Sequence, residues 1–195
     1  NIAFRDNFNF NGDFSIELWM KSETQNNNIQ TIFSKRESSN LIDGYDIRVV
    51  NNVISFNWNN GESLVSPYDI ITNRWYHIAV TNHNGTFSLF IDGILVNTTT
   101  GALPITNTVS CLLGGMDQTI TAPFKPTNYF DGGIDELRIW YVALSIDQIR
   151  KMMNQEIENK SGVVSGVIIP IDIVGLSWSD LNGYFRMNQI SDLSS

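Results

Sequence analysis

The chain has 195 residues, 42% hydrophobic and 11% aromatic, so it can bury a substantial core and does not have the composition of a disordered chain. Its 12 Lys and Arg against 20 Asp and Glu give a net charge of −8, and the basic residues form no cluster. This excludes nucleic acid and anionic membranes as expected partners. The single cysteine, Cys111, excludes an internal disulfide and a cysteine-based zinc site.

Two further features concern the context of the chain. No window of about 20 apolar residues occurs, so we expect no insertion into a membrane. The sequence opens on Asn1 without a Met and shows no signal peptide, so we expect an excised or processed piece of a longer protein. The scarcity of cysteine favours a protein exported by a bacterium over a disulfide-dense animal domain.

Residues 1–141 read as short strands separated by polar turns. The first segment, FSIELWMK (14–21), alternates, with an apolar face on its even-numbered positions and Trp19 on the opposite face. Turn pairs such as Asn51-Asn52 and Asn84-Gly85 suit tight hairpins. We therefore predict an all-β antiparallel sandwich, whose further strands span residues 30–36, 43–50, 53–59, 75–82, 86–93, 94–99, 109–115 and 133–140.

A single helix is predicted after the strands. Ser145 is a suitable N-cap for residues 145–156, with Ile146, Ile149 and Met153 on its packing face. Residues 157–165 are small and polar, and we predict a linker there. Residues 166–195 form a C-terminal extension containing one more strand, from Gly183 to Met187, which either packs on the sandwich or begins a following module.

Three motifs carry a family resemblance. They are GDFSIELWMK (12–21), NRWYHIAVTNHNGTFSLFIDGILV (73–96) and FDGGIDELRIWYVALSIDQI (130–149). In order and spacing they resemble the opening strand, central hairpin and closing strand of laminin-G-like, or concanavalin A-like, jelly-roll domains of the pentraxin-related kind. The resemblance covers residues 4–155 and implies a jelly-roll β-sandwich with one short C-terminal helix, so residues 1–156 are assigned to this domain. The fold hosts lectins, adhesion modules and enzymes, so it does not by itself assign a function.

Asp135 raises a question of its own. It shares strand parity with Leu137 and Ile139, which predicts a carboxylate in the buried layer. A buried carboxylate requires a cation or several N–H donors. In jelly rolls that resemble this chain, the corresponding Asp often binds a structural calcium. The alternative is that Asp135 caps a turn, or that a bulge at Gly132-Gly133 rotates it outward.

The resemblance also implies a calcium-dependent rim that holds sugar or phosphate ligands. Asn40 matches the first rim loop and Asp117 the second, and Asp43 could add one oxygen. Ser39 and Gly115 stand where further ligands would be expected, so the most that this set supports is a single calcium site. The alternative is that these are ordinary polar loop residues.

Aromatic residues offer a second route to sugar recognition, because indole faces stack on the C–H faces of sugars. Trp19 lies opposite the apolar stripe and is the best stacking candidate. We place Trp58 in the core and give Trp75 a structural role. Phe124, Tyr129 and Phe130 border a long loop that could shape a pocket, and we include Tyr129 among the ligand-binding candidates.

Catalysis has little support in the sequence. Jelly-roll glycoside hydrolases need two suitably spaced carboxylates, usually as E-x-D-x-E on one strand, and no strand carries this pattern. His77 and His83 are the only histidines and provide no zinc triad.

We therefore predict a non-catalytic extracellular or cell-surface recognition module within a larger protein. Its expected ligand is a carbohydrate or glycoconjugate, with calcium as a possible cofactor and the other domains of its parent chain as partners. Two alternatives stay open: a structural spacer or protein–protein adhesion module, and a polysaccharide-active enzyme on the same fold.

Overall fold

The computed structural model describes residues 8–25, 27–118 and 125–187. They form antiparallel β-sheets with one α-helix, which confirms the predicted all-β sandwich. In chain order the elements are β1 (Phe14–Ser22), β2 (Gln30–Glu37), β3 (Asn40–Val50), β4 (Val53–Trp58), β5 (Glu62–Asp69), β6 (Trp75–His83), β7 (Thr86–Ile91), β8 (Ile94–Thr100), β9 (Leu112–Leu113), β10 (Met116–Asp117), β11 (Pro126–Thr127), β12 (Gly132–Trp140), α1 (Ile146–Met152), β13 (Ile157–Lys160), β14 (Val163–Gly166), β15 (Asp172–Ser177) and β16 (Leu181–Phe185).

The strands of the described residues form two large sheets and one small one. The first sheet has the order β16-β12-β1-β6-β7-β8. The second has the order β11-β10-β2-β3-β4-β5, with β9 also paired to β2. The small sheet has the order β13-β14-β15. The pairings within the first and small sheets are antiparallel, whereas β10 runs parallel to β2 in the second.

The main core lies between the two large sheets. The even-numbered apolar residues of β1 are fully buried, as their alternation predicted. Trp58 belongs to the same core: its ring stacks on Phe87 at a centroid distance of 4.2 Å, and its indole N–H donates to the carbonyl of Ala102 over 2.9 Å. Each large apolar side chain buried in this way contributes about 1.5–3 kcal/mol to stability.

A second core lies on the outer face of the first sheet. Trp140 and Phe90 project from that face against Ile149 and Met152 of helix α1 and against the small sheet. The linker predicted for residues 157–165 is therefore wrong, because these residues form the β13–β14 hairpin. Inward-facing side chains such as Val164 are fully buried in this core, while the intervening residues are exposed and polar enough to resemble a linker.

Helix α1 and the small sheet together form what we call the covering layer of the first sheet. Local sequence explains where α1 begins. Ser145 and Gln148 form a reciprocal capping box at the start of α1, and the helix ends at Met152, before the predicted end at residue 156. The last strand, β16, pairs with β12 at the edge of the first sheet and begins two residues upstream of the predicted Gly183–Met187 span. Residues 188–195 lie outside the described residues. No helix in the described part of the chain has the length and apolarity to cross a bilayer.

Candidate functional site

A β-bulge in β12 decides where Asp135 points. Glu17 of β1 pairs with Arg138 and Trp19 pairs with Asp135, so two steps along β1 oppose three along β12. The extra residue is Glu136, whose φ is +53°. Strand parity therefore reverses at Glu136, and Asp135 shares the outer face with Trp19. Of the two alternatives left open from the sequence, the buried position is therefore wrong, and Asp135 is rotated outward by a bulge that lies three residues beyond Gly132-Gly133.

The Asp135 carboxylate is nevertheless held in place. Its Oδ1 accepts a hydrogen bond of 2.9 Å from the N–H of Glu136, so the side chain caps the bulge that redirects it. Within the described residues, Oδ2 has no hydrogen-bond partner in the protein. Asp135 therefore leaves one carboxylate oxygen available to a ligand at the outer face of the first sheet.

Trp75 lies beside Asp135, across the sheet. It begins β6 and pairs with Lys21 of β1, which in turn pairs with Gly133 of β12. The Trp75 indole extends across the sheet towards Gly133, where an added Cβ would lie 2.8 Å from Cη2 of the ring. Trp75 remains 42% exposed, so it is not a core residue, and the structural role predicted for it stays a prediction. The missing side chain at Gly133 makes room for a large aromatic surface open to solvent.

Trp19 forms the inner wall of the same space. Its indole N–H donates to the Met153 carbonyl over 2.6 Å, and its ring meets that of His77 edge to face, at 5.4 Å between centroids. The side chain is half-buried. Its orientation is therefore fixed from two sides before any ligand arrives.

These residues line an open cleft of about 460 Å³, which we call the tryptophan cleft. One wall consists of Trp19, Trp75, Asp135 and Glu136 of the first sheet. The other consists of residues 153–156, which follow helix α1, and Ile168. Asn154 is exposed in this second wall, so a ligand on the tryptophans would find both a carboxylate oxygen and an amide within the same cleft.

An ionic cluster of Arg138, Glu17 and Glu136 connects the two walls of the tryptophan cleft, and we call it the buried ionic cluster. Arg138, which is 1% exposed, lies 2.6 Å from Glu136 Oε2 and 3.4 Å from Glu17 Oε1. The same guanidinium donates to the carbonyls of Met152 and Gln155 at the end of α1. Arg138 therefore joins the two walls, because it contacts Glu136 on one and Gln155 on the other.

Glu17 is the buried acid of this cluster. Burial alone would raise its pKa, but His77, whose Nε2 lies 3.4 Å from Oε2, and the charge of Arg138 outweigh burial and hold the pKa below its usual value. The Trp140 indole N–H lies 3.3 Å from the same carboxylate. Burial would lower the pKa of Arg138, but Glu17 raises it above its usual value. The pair is therefore charged and fixed.

The residues predicted for a calcium rim lie elsewhere. Asn40 and Asp43 line a separate cleft of about 220 Å³ with Glu37, and the Asn40 amide lies 3.4 Å from Asp43 Oδ2. Asp117 is on β10, separated from β3 by the intervening strand β2. Its Oδ1 accepts a 3.2 Å hydrogen bond from the N–H of Lys125.

These positions do not fit one calcium centre. Asp135 belongs to the first sheet, whereas Asn40 and Asp117 belong to the second, where they lie on opposite sides of Glu37 of β2. Calcium takes six to eight oxygen ligands, and within residues 8–25, 27–118 and 125–187 no group of three or more His, Cys, Asp or Glu side chains could hold a metal. We therefore derive no step of recognition through a metal ion.

Tyr129 lines a third cleft. It is 64% exposed and faces a space of about 650 Å³ with Asn27, Asn128 and Asp131. Its neighbour Phe130 packs against the main core. Phe124 lies outside the described residues. Of the four predicted ligand-binding residues, only Trp19 lies in the tryptophan cleft, and the structure does not bring Tyr129, Asn40 or Asp117 to it.

The sequence analysis missed Trp75 and Asn154 as members of the site. Trp75 had a recognisable signal, because it shares β6 parity with His77, which opposes the core residues of that strand. Asn154 had none, since its position depends on where α1 ends.

Comparisons with known proteins agree with this architecture. A family profile described as laminin G type, of the concanavalin A-like lectin/glucanases superfamily, matches residues 1–150. A comparison with curated protein sequences finds no match.

Several solved structures share the fold at low identity. A protein from Bacteroides ovatus, described as a candidate carbohydrate-binding protein, is 17% identical with a TM-score of 0.61. The match covers 95% of this chain but 56% of that protein, so this chain spans about half its length. A pentraxin from Limulus polyphemus is 15% identical (TM-score 0.56, 91% and 80% covered), and the CBM40 module of a Ruminococcus gnavus sialidase is 20% identical (0.60, 72% and 82%).

At these identities the solved structures establish the fold alone. The family profile goes further, because it spans most of the chain and includes all three motifs that carried the resemblance. The chain belongs to the laminin G-type family of the concanavalin A-like lectin/glucanases superfamily.

Proposed function

We propose that this chain is a non-catalytic carbohydrate-binding module that stacks a sugar ring on Trp75 in the tryptophan cleft. The observation that carries the proposal is the exposure of Trp75 beside a second fixed indole, Trp19, and beside the unpartnered oxygen of Asp135. An indole face accepts the C–H face of a sugar, while Asp135 and the Asn154 amide accept and donate hydrogen bonds to hydroxyl groups.

The similar structures support the same class of ligand. They include the sialidase module bound to α2,3-sialyllactose, at 19% identity, and a domain of a Geobacillus stearothermophilus arabinanase in complex with arabinotriose, at 23% identity. The ligands belong to those proteins, and the choice of sugar by this chain has to come from its own cleft.

A catalytic role is less well supported, although the tryptophan cleft contains several carboxylates. Glu136 is bound to Arg138 and to the Tyr184 hydroxyl, each over 2.6 Å, and Glu156 lies 3.1 Å from Arg186. A glycosidase needs one free acid and one free base or nucleophile across the scissile bond. Two of the three carboxylates are instead neutralised by arginines.

We also propose an extracellular or cell-surface location, within a larger protein whose other domains are its partners. A spacer or a protein–protein adhesion module is the alternative function. Calcium assistance at Asn40, Asp43, Asp117 or Asp135 stays a prediction, and it is independent of the stacking proposed here.

A glycan array probed with and without a chelator tests the proposal. We expect binding to a defined set of glycans that persists in the chelator, because the tryptophan cleft requires no ion. An array that stays blank in both conditions contradicts the proposal and favours the spacer. Binding that vanishes on chelation moves the site to the calcium residues.

A further inference from the structure

Three carboxylates line the tryptophan cleft, and two of them are paired with arginines. Glu136 is neutralised by Arg138, and Glu156 by Arg186. Lys21, whose Nζ lies 5.8 Å from the Trp75 ring centroid, is in turn 2.8 Å from Glu23. Among the described residues that line the cleft, Asp135 is the acid that lacks a cationic partner in the protein.

The position of Asp135 also favours a cationic ligand. The carboxylate lies on the same face as two indole rings, one exposed and one fixed. Aromatic faces attract cations through their negative quadrupole, and a carboxylate beside them adds a direct charge. The same combination repels a ligand that carries a carboxylate of its own, and the net charge of −8 on the whole chain acts in the same direction.

We propose that Asp135 makes the tryptophan cleft selective for glycans that carry a free amino group, and against glycans that carry carboxylates. This inference rests on the proposed sugar-binding function of the cleft and names its substrate class. The ammonium group of an amino sugar would contact Oδ2 of Asp135, while the ring of that sugar or of its neighbour stacks on Trp75.

The test compares three oligosaccharides of equal length by isothermal titration calorimetry at mildly acidic pH. They are a chitosan oligomer with free amines, a chitin oligomer with the same backbone and acetylated amines, and an oligogalacturonate. We expect the chitosan oligomer to bind roughly tenfold more tightly than the chitin oligomer, as a charge-assisted hydrogen bond allows. We expect no binding of the oligogalacturonate.

Asp135→Asn is the matched variant, because an asparagine Oδ1 can still accept the Glu136 N–H and keep the bulge. It should remove the preference for chitosan, so that the affinity ratio of chitosan to chitin falls from roughly tenfold to about one. Asp131→Asn removes the same charge at the Tyr129 cleft, outside the site, and should keep the wild-type preference.

The outcomes separate this inference from the function on which it rests. If both chitin and chitosan bind equally well, and Trp75→Ala abolishes both, the sugar site stands and the charge selectivity is overturned. Selectivity that survives in Asp135→Asn overturns the assignment to that residue. Failure of both oligomers to bind overturns the inference, and a blank glycan array would then overturn the proposed function as well.

Discussion

The Trp75 indole occupies the space that a side chain at Gly133 would fill. A Cβ on Gly133 would lie 2.8 Å from Cη2 of the ring, closer than such contacts occur in proteins. The glycine and the tryptophan come from β12 and β6, with Lys21 of β1 between them in the sheet. The exposed aromatic surface of the tryptophan cleft therefore depends on a residue that would not itself touch the sugar.

This dependence predicts the effect of Gly133→Ala. The added methyl should displace the Trp75 ring and weaken glycan binding about fivefold, which corresponds to about 1 kcal/mol of stacking energy. The backbone of Gly133 does not have a positive φ, so the change in the free energy of unfolding should be small. Calorimetric titration and urea denaturation measure the two effects. Gly12→Ala is the control, because its Cβ would meet nothing within 4 Å; equal binding by both variants would contradict the assigned role of Gly133.

The buried ionic cluster predicts a large loss of stability on replacing Arg138. Arg138→Met leaves Glu17 charged and fully buried without its guanidinium, which should cost about 3–5 kcal/mol. Urea denaturation measures the cost. Arg74→Met, which breaks the exposed pair with Asp92, should cost less than about 1 kcal/mol. A loss for Arg138→Met no larger than this control would mean that the cluster contributes little to the fold.

The same cluster predicts a dependence of stability on pH. The pKa of Glu17 is below its ordinary value of 4.5 in the folded protein. Glu17 therefore binds fewer protons in the folded than in the unfolded chain, so its contribution is complete above pH 4.5 and is lost as the pH falls through its folded pKa. Burial raises the pKa of Asp46, which acts with the opposite sign.

Comparison with Glu17→Gln isolates the contribution of Glu17, since Asp46 is present in both proteins. We expect the wild-type advantage in the free energy of unfolding to shrink as the pH is lowered from about 7 to about 3. Parallel stability curves for the two proteins would show that Glu17 is not the responsible group.

The covering layer predicts that residues 157–185 unfold together with the sandwich. Ile173 is fully buried in the second core, so Ile173→Ala should cost about 2–4 kcal/mol in a single cooperative transition. The neighbouring Val174 is 78% exposed, and Val174→Ala should be nearly neutral. A separate early transition in Ile173→Ala, with the sandwich unaffected, would indicate an independent appendage.

How far the sequence predicted the structure depended on the range of the interactions involved. The alternation in residues 14–21 identified the core face of β1, because a period of two is a property of the strand itself. The bulge at Glu136 was not predictable in this way, since glutamate rarely adopts a positive φ and carries no signal for it. This one extra residue reverses the direction that strand parity predicted for the Asp135 side chain.

The candidate site was predictable only in part for a related reason. Trp19 was identified from the face that it shares in β1, but Trp75, Asp135 and Asn154 come from distant segments of the chain. Their meeting depends on the order of strands in the first sheet and on the end of α1. The hairpin at residues 157–166 was missed because its strands are short and bury few side chains each.

The most direct test of the central claim is a titration of Trp75→Ala with a glycan that the wild-type chain binds. Tyr68→Ala is the matched control, because Tyr68 is 64% exposed and lies outside the tryptophan cleft. We expect Trp75→Ala to lose detectable binding while it unfolds at the wild-type urea concentration, and Tyr68→Ala to bind as the wild type does. Unchanged affinity in Trp75→Ala would contradict the claim that this tryptophan holds the sugar.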